Sequence, residues 1–187
     1  MAPTDETLMQ RFQTGDRGAL SALIERYREP ALRFCYRMLH DPDMAEDMAQ
    51  EGLARILLHP DHWSGRAKFS SYLFSILKNL CIDEMRWRSR WHGGTLENWD
   101  TADLGPLPEE QIARVEQQQE VQAALARLGP DHKAALILRE FHGLPYEQIS
   151  DVMGWSEAKT KITIYRARLA LGRVLSANEG GERHVTR

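Results

Sequence analysis

The 187-residue sequence contains only two cysteines, Cys35 and Cys81, far apart in apolar surroundings. They provide neither the close pairing of a zinc site nor the density of a disulfide scaffold, so we expect free, buried thiols. Apolar runs are also short, and none approaches the roughly 18 residues of a transmembrane helix. The start of the chain lacks the basic and apolar regions of a signal peptide. We therefore expect a cytoplasmic protein with no metal, cofactor or inserted membrane segment.

Strand patterns are lacking as well. Apolar residues recur every three or four positions through residues 4–90 and again from Ile112 to Leu175, which is typical of amphipathic helices. Between them, the periodicity stops and glycine, proline and aspartate accumulate. The sequence therefore predicts an all-α fold: one helical domain at 1–90, a flexible linker at 91–110, a second helical domain at 111–176 and a polar tail at 177–187.

Positive charge is in slight deficit, with a formal net charge of -3. Taken alone, this argues against a nucleic-acid partner, because such binding depends on lysine and arginine neutralising phosphates. The charge is segregated, however. Residues 41–54 contain five acids and no base, whereas residues 159–173 contain five bases and no acid. DNA binding by the basic segment remains open.

A helix-turn-helix pattern covers residues 144–156 and runs into a basic helix. Ile149 and Met153 would pack the first helix, Gly154 would allow the positive φ of a tight turn, and Ser156 would cap the second helix. In such motifs the second helix enters the major groove with its N-terminal residues leading. A plain helical hairpin would show the same pattern, but the basic run that follows favours DNA binding.

The sequence around this motif, in residues 124–130, 136–149 and 165–169, resembles region 4 of extracytoplasmic-function (ECF) sigma factors. The resemblance implies a four-helix domain that reads the minus-35 promoter element and contacts the β flap of RNA polymerase. The recognition helix departs from the family pattern, since residues 158–163 match its usual Gly-Thr-Val-Lys-Ser-Arg only at Lys161. The implied minus-35 residues are Ser156, Lys159, Lys161, Thr163, Arg166 and Arg168. A helical projection predicts that Lys159 and Thr163 read bases, while Arg166 and Arg168 serve phosphates or the fold.

An acidic segment in the first domain, residues 43–55, is similar to the region 2.2 helix of the same family. In that family the helix binds the clamp helices of the polymerase β′ subunit. A helical projection places the polar residues on one half and the apolar residues on the other. The predicted polymerase-binding residues are Glu46, Asp47, Gln50, Glu51 and Arg55. An ordinary solvated acidic face would look the same from charge alone, and the resemblance favours docking.

Residues 69–88 resemble regions 2.3 and 2.4, where the family melts and reads the minus-10 element. Single-stranded DNA needs a pocket and stacking partners for a flipped base, and cations along its phosphates. The implied minus-10 residues are Trp63, Arg66, Lys78, Asn79, Asp83, Arg86 and Arg88. The aromatic residues of this helix, Tyr72 and Phe74 above all, fit the apolar spacing and are also explained as core residues.

Together, the two segments predict an alternative sigma factor that binds core RNA polymerase, directs it to promoters and is controlled by an anti-sigma factor. Two other functions compete. A stand-alone transcription regulator would use only the helix-turn-helix, but it would need neither the acidic helix nor residues 69–90. A metal-dependent hydrolase would use the acids near Asp41 with histidines, but no His-x-x-x-His, cysteine pair or nucleophile elbow supports it. We therefore predict that the protein is not an enzyme.

Overall fold

In the computed structural model, residues 2–91 and 121–181 are described, with side chains up to residue 173. The described residues are helical with connecting turns, which confirms the predicted all-α fold. The helices are α1 (Asp5–Gln13), α2 (Arg17–Leu39), α3 (Pro42–Leu58), α4 (Phe69–Trp91), α5 (residues 121–126), α6 (Pro130–Glu140), α7 (Tyr146–Met153) and α8 (Glu157–Gly181), with a 3-10 turn at Pro60–His62. The predicted linker beyond Trp91 lies outside the described residues, as do residues 182–187. Helix α8 continues past the predicted start of the tail at 177, because no proline interrupts it.

Aspartate side chains begin two of the long helices. Asp16 accepts hydrogen bonds from the backbone N–H groups of Gly18 and Ala19, at 2.9 and 3.2 Å, at the start of α2. Asp41 accepts one from the N–H of Met44, at 3.0 Å, at the start of α3. These bonds satisfy amides that have no partner within the helix, and they fix where both helices begin.

The first four helices pack into one unit in which α2 contacts α1, α3 and α4. Phe34 of α2 and Phe74 of α4 meet edge to face, with ring centroids 5.4 Å apart. Both cysteines are free and buried in this core, as predicted. Phe74 is buried, as its interpretation as a core residue predicted, and so is Phe69, whereas Tyr72 is only half-buried. None of the described helices is long and apolar enough to cross a membrane.

Helices α3 and α4 approach most closely at Gly52. A Cβ atom built at this position would lie 2.4 Å from Cδ2 of Leu77, closer than carbon atoms approach in proteins. The absence of a side chain at Gly52 therefore lets the two helices touch.

We expect Gly52→Ala to lower the free energy of unfolding relative to Gly172→Ala. Both glycines lie inside helices, so alanine brings each the same propensity gain of roughly 1 kcal/mol. The space around Gly172 is open, with no atom within 4 Å of a built Cβ, whereas at Gly52 the overpacking costs about 1–3 kcal/mol. Urea unfolding of both variants measures the difference, and equal stabilisation would contradict the close contact of α3 with α4.

The second unit, α5–α8, packs directly on the first. Helix α7 lies against α4 and α6 lies against α2, and we call this packing the closed arrangement. The Lys133 ammonium of α6 donates a 2.8 Å hydrogen bond to the carbonyl oxygen of Met38 in α2. The His142 ring lies against the rings of Phe34 and Phe74, with centroids 5.9 and 4.8 Å away. A continuous hydrophobic core therefore joins the two units.

Candidate polymerase-binding and DNA-binding surfaces

Helix α3 has one polar half and one apolar half. Its apolar half packs into the core through Ala45, Ala49, Gly52 and Ile56, which are buried. The five predicted polymerase-binding residues, Glu46, Asp47, Gln50, Glu51 and Arg55, are all exposed. The structure thus presents the residues that the projection grouped together as one continuous, mainly acidic surface, which we call the α3 face.

Two hydrogen bonds order the side chains of the α3 face. The Gln50 amide donates to the Glu46 carboxylate at 3.0 Å, and the Arg55 guanidinium donates to the Glu51 carboxylate at 2.8 Å. Both pairs are one helical turn apart and exposed, so each contributes only a few tenths of a kcal/mol to stability, roughly 0.2–0.5. Their side chains remain available to a partner.

The loop before α4 shapes a shallow cavity of about 160 Å³. Arg66 of the loop and Tyr72 and Ser75 of α4 line it, and Asp151 of α7 lines it from the other unit. Arg66 is exposed, as a contact to nucleic acid requires. Arg66 and the half-buried Tyr72 lie at the same opening, so a cation and an aromatic ring, the two kinds of group that single-stranded DNA binding uses, are combined there.

Trp63 also lines this cavity, and it is part of the fold as well. Its ring is only 4% exposed, and its indole N–H donates to the carbonyl oxygen of Ala67 at 3.1 Å. In the closed arrangement the ring therefore holds the loop in shape, and its predicted contact to minus-10 DNA stays a prediction. Spacing along the sequence could not show that the ring is buried, since the side chain's direction depends on how the loop folds back.

The predicted minus-10 residues of α4 divide by exposure. Asn79, Asp83 and Arg86 are exposed, and Arg86 and Asp83 form an ion pair at 3.6 Å. Lys78 is half-buried, and its ammonium donates to the carbonyl oxygen of Val152 in α7 at 3.1 Å. Burial lowers its pKa. In the closed arrangement, therefore, the ammonium of Lys78, which the sequence predicted to contact DNA, is hydrogen-bonded to α7.

Arg88, a predicted minus-10 residue, forms an internal link in the structure. The residue is 9% exposed, and its guanidinium donates to Asp41 at 3.0 Å and to Glu84 at 2.6 Å. Burial lowers the pKa of Arg88, but the two carboxylates raise it by more. Arg88 thus ties α4 to the start of α3, and its contact to minus-10 DNA stays a prediction.

The helix-turn-helix is formed by α7 and α8. Gly154 has a φ of 65° and ends α7, as its predicted role in the turn requires. The Ser156 hydroxyl accepts a hydrogen bond from the N–H of Lys159 at 3.3 Å and caps α8. Inside the motif, the hydroxyls of Ser150 and Thr160 are 3.0 Å apart and buried. The two helices are thus locked at their crossing.

The outer side of α8 carries most of the predicted minus-35 residues. Lys159, Lys161 and Arg166 are exposed. Lys159 lies over the Trp155 ring, 4.4 Å from its centroid, and Lys161 pairs with Glu157 at 3.0 Å. Arg168 pairs with Glu140 of α6 at 2.5 Å, so it serves the fold, one of the two roles predicted for it.

Thr163 is more buried than the projection predicted. It is 7% exposed and lies beside Thr160, Ile164 and Ala167, which are completely buried. The core stripe of α8 is therefore wider than the projection predicted, because α8 packs on both α6 and α7. The contact of Thr163 to a base stays a prediction.

The residues that join the two units were not predicted from the sequence. Lys133 lies outside the motifs, and the motif that contains His142 and Gln148 assigns neither residue a contact with the first unit. Ser70 and Ser71 of α4 donate to Gln148 at 3.2 and 3.3 Å. No local signal identifies them, because their roles arise from packing between distant segments. Among the residues that the structure describes, no group of three or more histidine, cysteine, aspartate or glutamate side chains is arranged to hold a metal ion.

Comparison with known proteins shows that each unit matches one region of the sigma-70 family. The Sigma-70 region 2 family model matches residues 23–91, and the Sigma-70, region 4 model matches residues 118–171. The ECF sigma factor SigX of Bacillus subtilis is 30% identical over 150 residues, covering 77% of each protein. SigW of the same organism is 27% identical and covers 89% of this chain and 94% of its own.

A solved sigma factor structure is similar to this chain over most of its length. The sigma factor RpoE of Bartonella quintana, in complex with the anti-sigma factor NepR, superposes with a TM-score of 0.66 at 25% identity, over 83% of this chain and 96% of RpoE. A region 2 match in the first unit leaves no room there for the unrelated sensor domain of a stand-alone regulator. Sigma factors are initiation factors and not enzymes. The chain belongs to the extracytoplasmic-function family of RNA polymerase sigma factors.

Proposed function

We propose that this protein binds core RNA polymerase through the α3 face, opens promoter DNA with the loop before α4 and α4 itself, and places α8 in the minus-35 major groove. The observation that carries this proposal is the α3 face. Five polar side chains are exposed along one side of a helix whose other side builds the core. We assign residues 1–90 and 111–176 to the two functional domains, joined by the linker at 91–110.

Promoter binding requires the closed arrangement to open. The nominal positions of the minus-10 and minus-35 elements differ by about 25 base pairs, which corresponds to about 85 Å of duplex. A compact chain of this length has a diameter of only about 40 Å. The two domains therefore separate on the promoter, and separation releases Lys78 from Val152 and removes Asp151 from the cavity beside Arg66.

The controlling partner is an anti-sigma factor that stabilises the closed arrangement. The RpoE relative in complex with NepR supports this assignment. In this arrangement α7 covers part of α4, so a partner that holds both domains keeps the minus-10 surface occupied. We place the protein in the cytoplasm, where the polymerase and the promoter are.

Run-off transcription with purified core polymerase tests the proposed function. Templates from a promoter library should give discrete transcripts when the chain is added and none with core polymerase alone. The matched control is the same chain lacking residues 121–187, which retains the α3 face but not α8. Absence of any chain-dependent transcript across the library would contradict the proposal.

A further inference from the structure

The outward side of α8 is apolar along its centre. Ile162, Tyr165 and Leu169 are 52%, 62% and 45% exposed, and Ala158 is exposed on the same line. These residues lie opposite the buried stripe of Thr160, Ile164 and Ala167 on a projection at 100° per residue. A contiguous line of three large apolar side chains exposed to water is unfavourable, and such lines mark interaction sites. We therefore look for a partner of this side of α8.

Cations border the start of this apolar line on both sides. On the projection, Lys159 and Arg166 lie on one side of Ile162, and Lys161 lies on the other. All three are exposed. A surface with an apolar centre between positive flanks matches the major groove, which has phosphate walls and base edges at its floor. The apolar group that a base edge presents in that groove is the C5 methyl of thymine.

We propose that Ile162, with Ala158 beside it, reads the C5 methyl of a thymine in the minus-35 element. The inference rests on the proposed placement of α8 in that groove. Ile162 lies about 8 Å along the helix from its start at Glu157, within the groove's width of roughly 12 Å, whereas Leu169 lies about 18 Å along and beyond it. In this chain, therefore, the apolar side chain of Ile162 contacts a base, a role that the sequence had predicted for Thr163.

The test removes only the methyl group. Holoenzyme formed from core polymerase and the full chain first selects its preferred minus-35 sequence from a randomised library. Each thymine in that element, on either strand, is then replaced by deoxyuridine, and promoter affinity is measured. At one position we expect a loss of about fourfold for the wild-type chain, the effect of one buried methyl group.

Ile162→Ala should abolish that sensitivity, so that thymine and deoxyuridine templates bind equally well. Because Ile162 is half exposed, the variant should keep the helical circular dichroism of the parent. Leu169→Ala is the matched control on the same apolar line, and it should retain the fourfold difference.

Three results would overturn the inference alone: a preferred minus-35 element without thymine, indifference of the wild-type holoenzyme to deoxyuridine at every position, or undiminished sensitivity in Ile162→Ala. If Ile162→Ala instead weakens binding to core polymerase and leaves the deoxyuridine effect intact, the apolar line is a protein contact and the inference fails. A holoenzyme with no minus-35 preference at all would overturn the proposed function as well.

Discussion

The double variant Asp47→Lys with Glu51→Lys should bind core polymerase at least about tenfold more weakly than the parent chain and should lose run-off activity. Both side chains lie on the α3 face, and the substitution reverses the charge of the surface proposed to dock. Reversed charges at a docked interface cost several kcal/mol because the partner's charges then face like charges. Fluorescence anisotropy of labelled chain against core polymerase measures the affinity.

A matched control is available on α2. Glu25 and Glu29 are also exposed, and Glu29 pairs with Arg33 at 2.7 Å just as Glu51 pairs with Arg55 at 2.8 Å. Glu25→Lys with Glu29→Lys therefore changes the net charge equally and breaks the same kind of ion pair. The control should retain core affinity. Equal weakening by both variants would show that the docking assignment is wrong and that only net charge matters.

Lys133→Met should make the closed arrangement more stable at pH 7. Burial lowers the pKa of Lys133 from 10.5 to about 8, although the nearby Cys81 acts in the opposite direction. Holding the charged amine in the closed structure therefore costs roughly 3 kcal/mol. Methionine removes this cost but also the hydrogen bond from the charged amine to Met38, worth about 1.5–3 kcal/mol. We expect a net increase of up to about 1.5 kcal/mol in the free energy of unfolding.

The pH dependence gives a second readout. Between pH 8 and 10.5 the folded protein binds fewer protons at Lys133 than the unfolded chain does. Unfolding therefore takes up protons in this window, and the free energy of unfolding of the parent rises with pH. The variant lacks that rise, so the difference between the two proteins narrows as the pH increases. Two other titratable groups lie near Lys133. Burial lowers the pKa of His40, which therefore stays neutral throughout this window, and the hydrogen bond with Cys35 and burial raise the pKa of the Cys81 thiol. Both groups are present in the parent and in the variant, so the difference between the two proteins reports Lys133.

Urea unfolding at a series of pH values measures both effects. Lys68→Met is the control, because Lys68 is 60% exposed and its ion pair with Glu6 is loose at 3.7 Å. It should change stability by less than about 0.5 kcal/mol at any pH. A difference between Lys133→Met and the parent that stays constant with pH would contradict the buried, charged state of Lys133.

Much of the fold was predictable from local patterns. Helix periodicity, the aspartate caps and Gly154 act within one or two turns of the chain, so the order of residues is enough to indicate them. The same holds for the two halves of α3, because a helix places residues at fixed angles and the apolar half must find the core.

Exposure on helices that pack against several neighbours was not predictable in the same way. Thr163 and Arg88 have the residue types and the spacing of DNA contacts, yet both are buried. How much of a helix is covered depends on how many helices surround it. For Arg88 it also depends on two carboxylates, one of which, Asp41, caps another helix, α3.

The sequence by itself determined the helices, their caps, the acidic surface of α3 and the helix-turn-helix, because each follows from interactions between residues close in the chain. Only the tertiary structure decided that Lys78 binds α7, that Lys133 is buried against α2 and that Ile162 stands on the free side of α8. These outcomes depend on which faces remain uncovered once distant segments meet. They are set by close packing and by the cost of burying polar groups across the whole molecule, and neither can be read from a local sequence pattern.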